Sequence, residues 1–390
     1  MTSNQSQSRL FNASCIALVV TAMTFAIRAK LEEVFMTDYG LTSEQIGFAF
    51  GPAFWGFTLA MIIGGPLVDY FGMKRILNLA VIGHLGGIVL TLIARDFWTL
   101  FAGTTLIGIG NGMVEAACNP LIATLFPDNK TKMLNRFHVW FPGGIVIGSV
   151  AGFLIMDLLG LNWMILVSVL FIPLTAYAIM IVGQEFPQTE RVNLGVSNKD
   201  MFKACLSPLF IVILLCMFLT AATELGTGQR ISSLLGESGV APLLILAFVN
   251  GIMALGRLFA GEIVHRINIT SMLFFSAIFS FVGLILMSYT SGTMVFVSAG
   301  VFAIGVCYFW PTMLSFVAEK IPQSGALGLS LMGGAGMLSV SVVLPIMGSF
   351  MDSDMTGADT LRLMSVLPAI LIVAFGALSI VIKKGKVQAV

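Results

Sequence analysis

The chain reads as an all-α integral membrane protein: twelve transmembrane helices in two pseudo-symmetric six-helix bundles. Three observations predict this. Of its 390 residues 57% are hydrophobic and only 10% are charged, where soluble proteins carry about a quarter charged. The apolar residues gather into runs long enough to cross about 30 Å of hydrocarbon as helix. Basic residues cluster on alternate connections between those runs.

Taken in order, the runs lie at about 11–36, 43–68, 75–94, 97–125, 138–160 and 162–183, then 207–235, 239–265, 270–290, 293–319, 325–351 and 361–382. Each is bounded by charge, proline or a polar cluster. The longest connection carries Glu185, Glu190, Arg191, Lys199, Asp200 and Lys203. It divides the chain into an N-terminal bundle (1–183), a central loop (184–206) and a C-terminal bundle (207–390). With the N-terminus inside, Arg9, Lys74, Arg75, Lys130, Lys132, Arg136, Arg191, Lys199, Lys203, Arg266, Lys320, Lys383, Lys384 and Lys386 all fall on the cytoplasmic side. Only Arg95 and Arg362 fall outside. The asymmetry predicts an even span count with both termini cytoplasmic, in a cell inner (plasma) membrane. The polar start is followed by an apolar run too long for a signal-peptide core, so no cleavable leader is expected.

Composition also excludes chemistry. The five cysteines lack Cys-x-x-Cys spacing and lie in or beside apolar runs, so free buried thiols are expected rather than disulfides or a metal site. Three histidines make a metal centre improbable. There is no phosphate loop or nucleotide motif, so neither a cofactor nor direct ATP coupling is expected, and the protein is not read as an enzyme or a nucleic-acid binder.

The two halves look related. Gly65 to Gly72 ends span 2 where Gly261 to Asn268 ends span 8. Pro120 of span 4 matches Pro311 of span 10, and Gly152 to Asp157 matches Gly348 to Asp352. Two similar bundles suit an alternating-access transporter, in which a site between repeats opens to either side by rocking.

Gly65-x-Leu67-x-Asp69-x-x-Gly72-x-Lys74-Arg75 resembles the signature loop of the major facilitator superfamily. The resemblance implies a conformational latch made by Asp69, Lys74 and Arg75. The family's usual Arg after the Asp is Tyr70 here, and the second-half loop has His265 in the Asp place. More narrowly, Glu115-Ala116-Ala117-Cys118-Asn119-Pro120 is similar to a motif of the fucose/galactose/glucose–proton symporter branch. So are Leu31-Glu32-Glu33, Gly256-Arg257-Leu258-Phe259-Ala260-Gly261, Phe309-Trp310-Pro311-Thr312 and Gly333-Gly334-Ala335-Gly336. The resemblance implies a proton-coupling role for Glu33 as well as Glu115. Lys30, Glu32 and His138 depart from that branch's pattern.

Glu115 is the strongest single candidate, because a carboxylate at mid-bilayer depth costs several kcal/mol unless it meets a cavity, a partner or a proton. Gly108, Asn111 or Gly112, Glu115 and Asn119 recur at three- and four-residue spacing, giving one small polar stripe. By family resemblance that stripe faces the solute; the structural alternative is a permanent pair with Arg28. A desolvated carboxylate can load or lose a proton near neutral pH. Arg28 on span 1 and Glu224 on span 7 occupy related places, so they are expected as an ion pair or solute clamp, with Arg230 a second partner for Glu224 or Glu33. Lys30 and Glu32 read as a vestibule pair. Trp140, Tyr308 and Trp310 are candidate stacking platforms for a sugar ring, with ordinary packing as the alternative. His138 and Asn250 are candidate hydroxyl contacts, and Arg257 is assigned to the cytoplasmic gate.

The function expected from all this is secondary active transport, by alternating access, of a small-molecule solute with protons. A monosaccharide is the leading solute and the protein is expected to act as a monomer in the lipid bilayer. The rivals are a proton-coupled antiporter or exporter, an organic-anion importer using Arg28 and Arg230, and a non-transporting sensor on a transporter fold.

Overall fold

The computed structural model describes residues 4–235, 239, 242–351 and 355–383. Helices dominate it, and no strand occurs among the described residues. Among the described residues, eleven helices are long and apolar enough to cross a membrane. They are Gln5–Glu32, Gln45–Phe71, Met73–Ile93, Phe97–Leu125, Pro127–Leu158, Trp163–Ile181, Pro208–Ile231, Ile269–Met287, Met294–Lys320, Pro322–Phe350 and Gly357–Ile382. The shorter apolar helix Leu244–Leu258 supplies the eighth span and completes twelve.

Local chemistry explains where the spans begin. Asp96, Asn162, Ser207 and Asn268 each accept a hydrogen bond from a backbone N–H of the following first turn. These caps satisfy donors that a helix leaves orphaned, in a setting where little water replaces them. Thr42 and Thr356 form reciprocal capping boxes with Gln45 and Asp359. Two spans leave the α geometry: Phe153–Leu158 at the end of span 5 and Ala222–Gly226 inside span 7 are π-helical. The second holds Glu224, and such one-turn widenings are frequent at functional sites.

The contacts divide the chain into two compact units. The first holds Met1–Pro127, Trp140–Val196 and Gly325–Gly334; the second holds Asp128–Val139, Ser197–Ser324 and Ala335–Val390. The sequence division at the central loop is thus crossed twice. The stretch before span 5 belongs with the later helices, and the start of span 11 belongs with the earlier ones.

Each unit uses the same packing device. In the first, spans 3 and 4 approach so closely that a Cβ on Gly87 would strike Ile107 and Gly103, and one on Gly110 would strike His84. In the second, a Cβ on Gly283 would land on the backbone of Phe302, and one on Gly305 on that of Ser280. Lipid offers no hydrophobic drive between helices, so close backbone approach through small residues is what holds them.

Candidate functional site

Buried charge and buried polar groups mark a set of positions in each unit. In the first unit Glu115 is 2% exposed, among fully buried Val114, Ala116, Ala117 and Cys118. Asn119, one turn on, donates its amide Nδ2 to Glu115 Oε2 at 2.5 Å. The stripe spacing thus brings Glu115 and Asn119 together, but not Asn111. Asn111 Nδ2 donates to Thr24 Oγ1 at 3.0 Å, and its Oδ1 lies 2.9 Å from His84 Nε2. His84 Nδ1 is 3.0 Å from the Tyr177 hydroxyl. Asn111 therefore belongs to a closed network tying spans 1, 3, 4 and 6 together. His84 and Tyr177 were missed by the sequence reading, since a lone polar residue in an apolar run carries no periodic signal.

Arg28 forms no ion pair among the described residues of its unit. Its guanidinium lies over the rings of Phe25, Phe50 and Phe54, at 5.8, 5.5 and 5.1 Å. Lys30 pairs not with Glu32 but with Asp157, through oxygens at 2.6 and 2.9 Å. The side chain of Glu33 lies outside the described residues, as does that of His265.

The signature loop is engaged, with a different partner. Asp69 Oδ2 accepts from Arg191 Nε at 2.7 Å, and Oδ1 accepts from the Thr189 hydroxyl at 2.6 Å. Both side chains of this ion pair are nearly sealed, at 8% and 1% exposure. Lys74 donates to the carbonyl of Gln184 at 2.7 Å. The latch expected among Asp69, Lys74 and Arg75 is thus made with the central loop. The pattern gave no reason to single out Arg191 from the other basic loop residues.

In the second unit Glu224 is paired with Arg257, not with Arg28 or Arg230. Arg257 Nη2 donates to Glu224 Oε1 at 2.8 Å, Nη1 to the carbonyl of His138 at 2.9 Å, and Nε to that of Cys307 at 2.7 Å. Arg257, assigned from the sequence to the cytoplasmic gate, is 1% exposed and is the charged centre of a sealed cluster. His138 is also 1% exposed, and it is its backbone carbonyl that Arg257 holds. Arg230 reaches the carbonyl of Leu344 at 3.4 Å.

The aromatic platforms fare unequally. Trp140 is 41% exposed. Tyr308 gives its hydroxyl hydrogen to the carbonyl of Gly256 at 2.8 Å, and Asn250 gives its amide to Leu246 of its own helix at 2.9 Å. Trp310 is 5% exposed and its six-membered ring is where a Cβ on Gly336 would fall. Its indole Nε1 is buried with no hydrogen-bond partner, and so are Glu224 Oε2, Thr227 Oγ1 and Thr312 Oγ1. These four lie on spans 7 and 10. More than nine in ten buried polar groups are normally paired, so such orphans mark where a water or a solute group belongs. No cluster of histidine, cysteine and carboxylates fit for a metal occurs among the described residues.

A family model described as Major Facilitator Superfamily matches residues 13–343. The chain is 27% identical over 229 residues to the multidrug resistance protein MdtG of Proteus mirabilis, covering 57% of this chain and 56% of that one. It is 28% identical over 149 residues to a probable chloroplastic anion transporter of Arabidopsis thaliana, covering 38% and 28%. The matches thus span about half or less of these relatives' lengths. Among solved structures, the E. coli fucose:proton symporter superposes with a TM-score of 0.77 at 16% identity, covering 94% of this chain and 97% of that one. The proton:xylose symporter XylE gives 0.78 at 14%, covering 95% of each. The human organic anion transporter TETRAN gives 0.73 at 13%, covering 95% and 99%. With its apolar helices, two units, an engaged signature loop and a family match over most of its length, the chain belongs to the major facilitator superfamily.

Proposed function

We propose that the protein is a proton-coupled secondary transporter of a small polar solute, working by alternating access in a cell inner membrane with both termini cytoplasmic. The observation that carries the reading is the group of orphaned polar atoms on spans 7 and 10: Glu224 Oε2, Thr227 Oγ1, Trp310 Nε1 and Thr312 Oγ1. A donor ring, two hydroxyls and a carboxylate oxygen offer a polyhydroxylated solute both hydrogen-bond signs and an aromatic face. A monosaccharide satisfies all of them, and the fold is shared with symporters whose names specify fucose and xylose. Glu115 supplies the coupling acid. Its protonation removes a charge from the membrane interior, which lowers the cost of the state in which the site is closed.

The test is uptake into vesicles of known orientation under an imposed pH gradient. Glu115→Gln is expected to abolish accumulation while keeping solute exchange, and Trp310→Phe to weaken solute binding at least tenfold. Full proton-driven accumulation by Glu115→Gln removes the coupling role. Extrusion instead of accumulation replaces symport with antiport.

A further inference from the structure

We infer that the short helix Asn198–Cys205 of the central loop is a docking surface for anionic phospholipid, at the face of the membrane where span 7 begins. This goes beyond the transport reading and does not depend on the solute. Lys199, Phe202, Lys203 and Leu206 follow one another at i, i+3, i+4 and i+7, so they share one face. Leu206 closes the helix, its N–H still bonded to the Phe202 carbonyl at 3.1 Å. Phe202 is 53% exposed and Leu206 72%, and both lysines are exposed as well. The opposite face, Met201, Ala204 and Cys205, is buried, and the helix packs on the turn Pro322–Ser324 of the same unit.

Position and charge name the occupant. Span 7 starts at Pro208, with Ser207 as its cap. At about 3.8 Å per residue, Leu206 lies within about 8 Å of that first residue. At this level an exposed phenyl ring and a leucine enter the boundary between headgroups and acyl chains, while the lysines beside them reach to phosphate. Neither lysine pairs with a carboxylate among the described residues. Asp200 is engaged at the start of the helix, where it accepts from the Ser197 hydroxyl at 2.6 Å. The free face therefore joins two positive charges to two apolar groups, a composition that suits an anionic leaflet. A second copy docking by this same face about a two-fold axis would set lysine against lysine.

The test uses the full-length protein in lipid discs, made of phosphatidylcholine alone or with an equal amount of phosphatidylglycerol. All five native cysteines are buried, so a nitroxide attached at Leu206→Cys reports on this face alone. A second nitroxide at Asn193→Cys, an exposed position of the same loop, is the aqueous reference. Oxygen, which dissolves in acyl chains, and a water-soluble nickel chelate compete to relax the label. The ratio of oxygen to chelate collisions is expected to be several-fold higher at position 206 than at 193, and to rise further with phosphatidylglycerol. Lys199→Gln combined with Lys203→Gln abolishes that further rise, and high salt shrinks it. Should the label at 206 disturb the entry into span 7, Phe202→Cys gives the same reading. Equal ratios at 206 and 193 overturn membrane docking, and shielding from both reagents overturns it in favour of a protein partner. A rise that survives loss of both lysines, or no rise at all, overturns the anionic headgroup.

Discussion

At the residue scale, the sealed Glu224–Arg257 pair is the most sensitive point of the second unit. Both side chains are at most 3% exposed, and Arg257 spends three donors on three acceptors. Removing one partner strands a buried charge, at a cost of about 3–5 kcal/mol. Thermal unfolding of Glu224→Ala or Arg257→Ala is expected to show that loss, while Glu224→Leu combined with Arg257→Met recovers most of it. If the pair serves coupling as well as stability, the double variant folds but does not accumulate solute. This pair was only half legible in the sequence. Intramembrane charge singled out each residue, but the matching of repeats favoured Arg28 as partner. Distance along the chain gave no hint that Arg257, 33 positions on, would fold back to Glu224.

At the element scale, helix existence was legible and helix detail was not. Apolar length and basic bounds are dictated by the bilayer, so the runs survived as spans. The π turn at Ala222–Gly226 left no such trace, because a one-residue widening does not alter composition. Nor did the polar stripe of span 4 face one way. Gly108 and Gly112 sit where a Cβ would strike Pro52 and Phe57 of span 2, so they serve packing. The glycine contacts between spans 9 and 10 make a sharp prediction. Gly305→Leu drives a branched side chain into the backbone at Ser280 and is expected to abolish folded, monodisperse protein on size-exclusion chromatography. Gly47→Ala, in a helix where the added Cβ meets nothing within 4 Å, is expected to leave the elution profile unchanged. At the loop, Asp69→Asn weakens a nearly sealed ion pair with Arg191. Limited proteolysis is expected to cut between Gln188 and Val196 several-fold faster in that variant.

At the scale of the whole molecule, the charge pattern predicts a sidedness that can be tested directly. All five native cysteines are buried, so an introduced exposed cysteine stands out against them. In intact cells an impermeant maleimide is expected to label Arg95→Cys from outside and to reach Asp128→Cys only after permeabilisation. The reverse pattern overturns the orientation, and labelling of both from one side overturns the span count between them. The family was legible from one loop and the count of runs, because both are imposed by membrane crossing and by the shared helical repeat. The solute was not. Recognition rests on which hydroxyls and amides stay uncommitted. Asn111 and Tyr308 are taken by neighbours the chain brings from afar, and Asn250 by a carbonyl one turn back in its own helix.

The central connection has a last implication for how the machine moves. Through Arg191 and Lys74 it is stitched down as far as Val196, and the next residue, Ser197, already belongs to the other unit. What looked like a slack leash of two dozen residues offers almost none. Extra residues spliced in after Gly195, whose φ of +66° already breaks the helical path, would merely loosen the join. The same splice between Thr189 and Arg191 would unpick the strap itself.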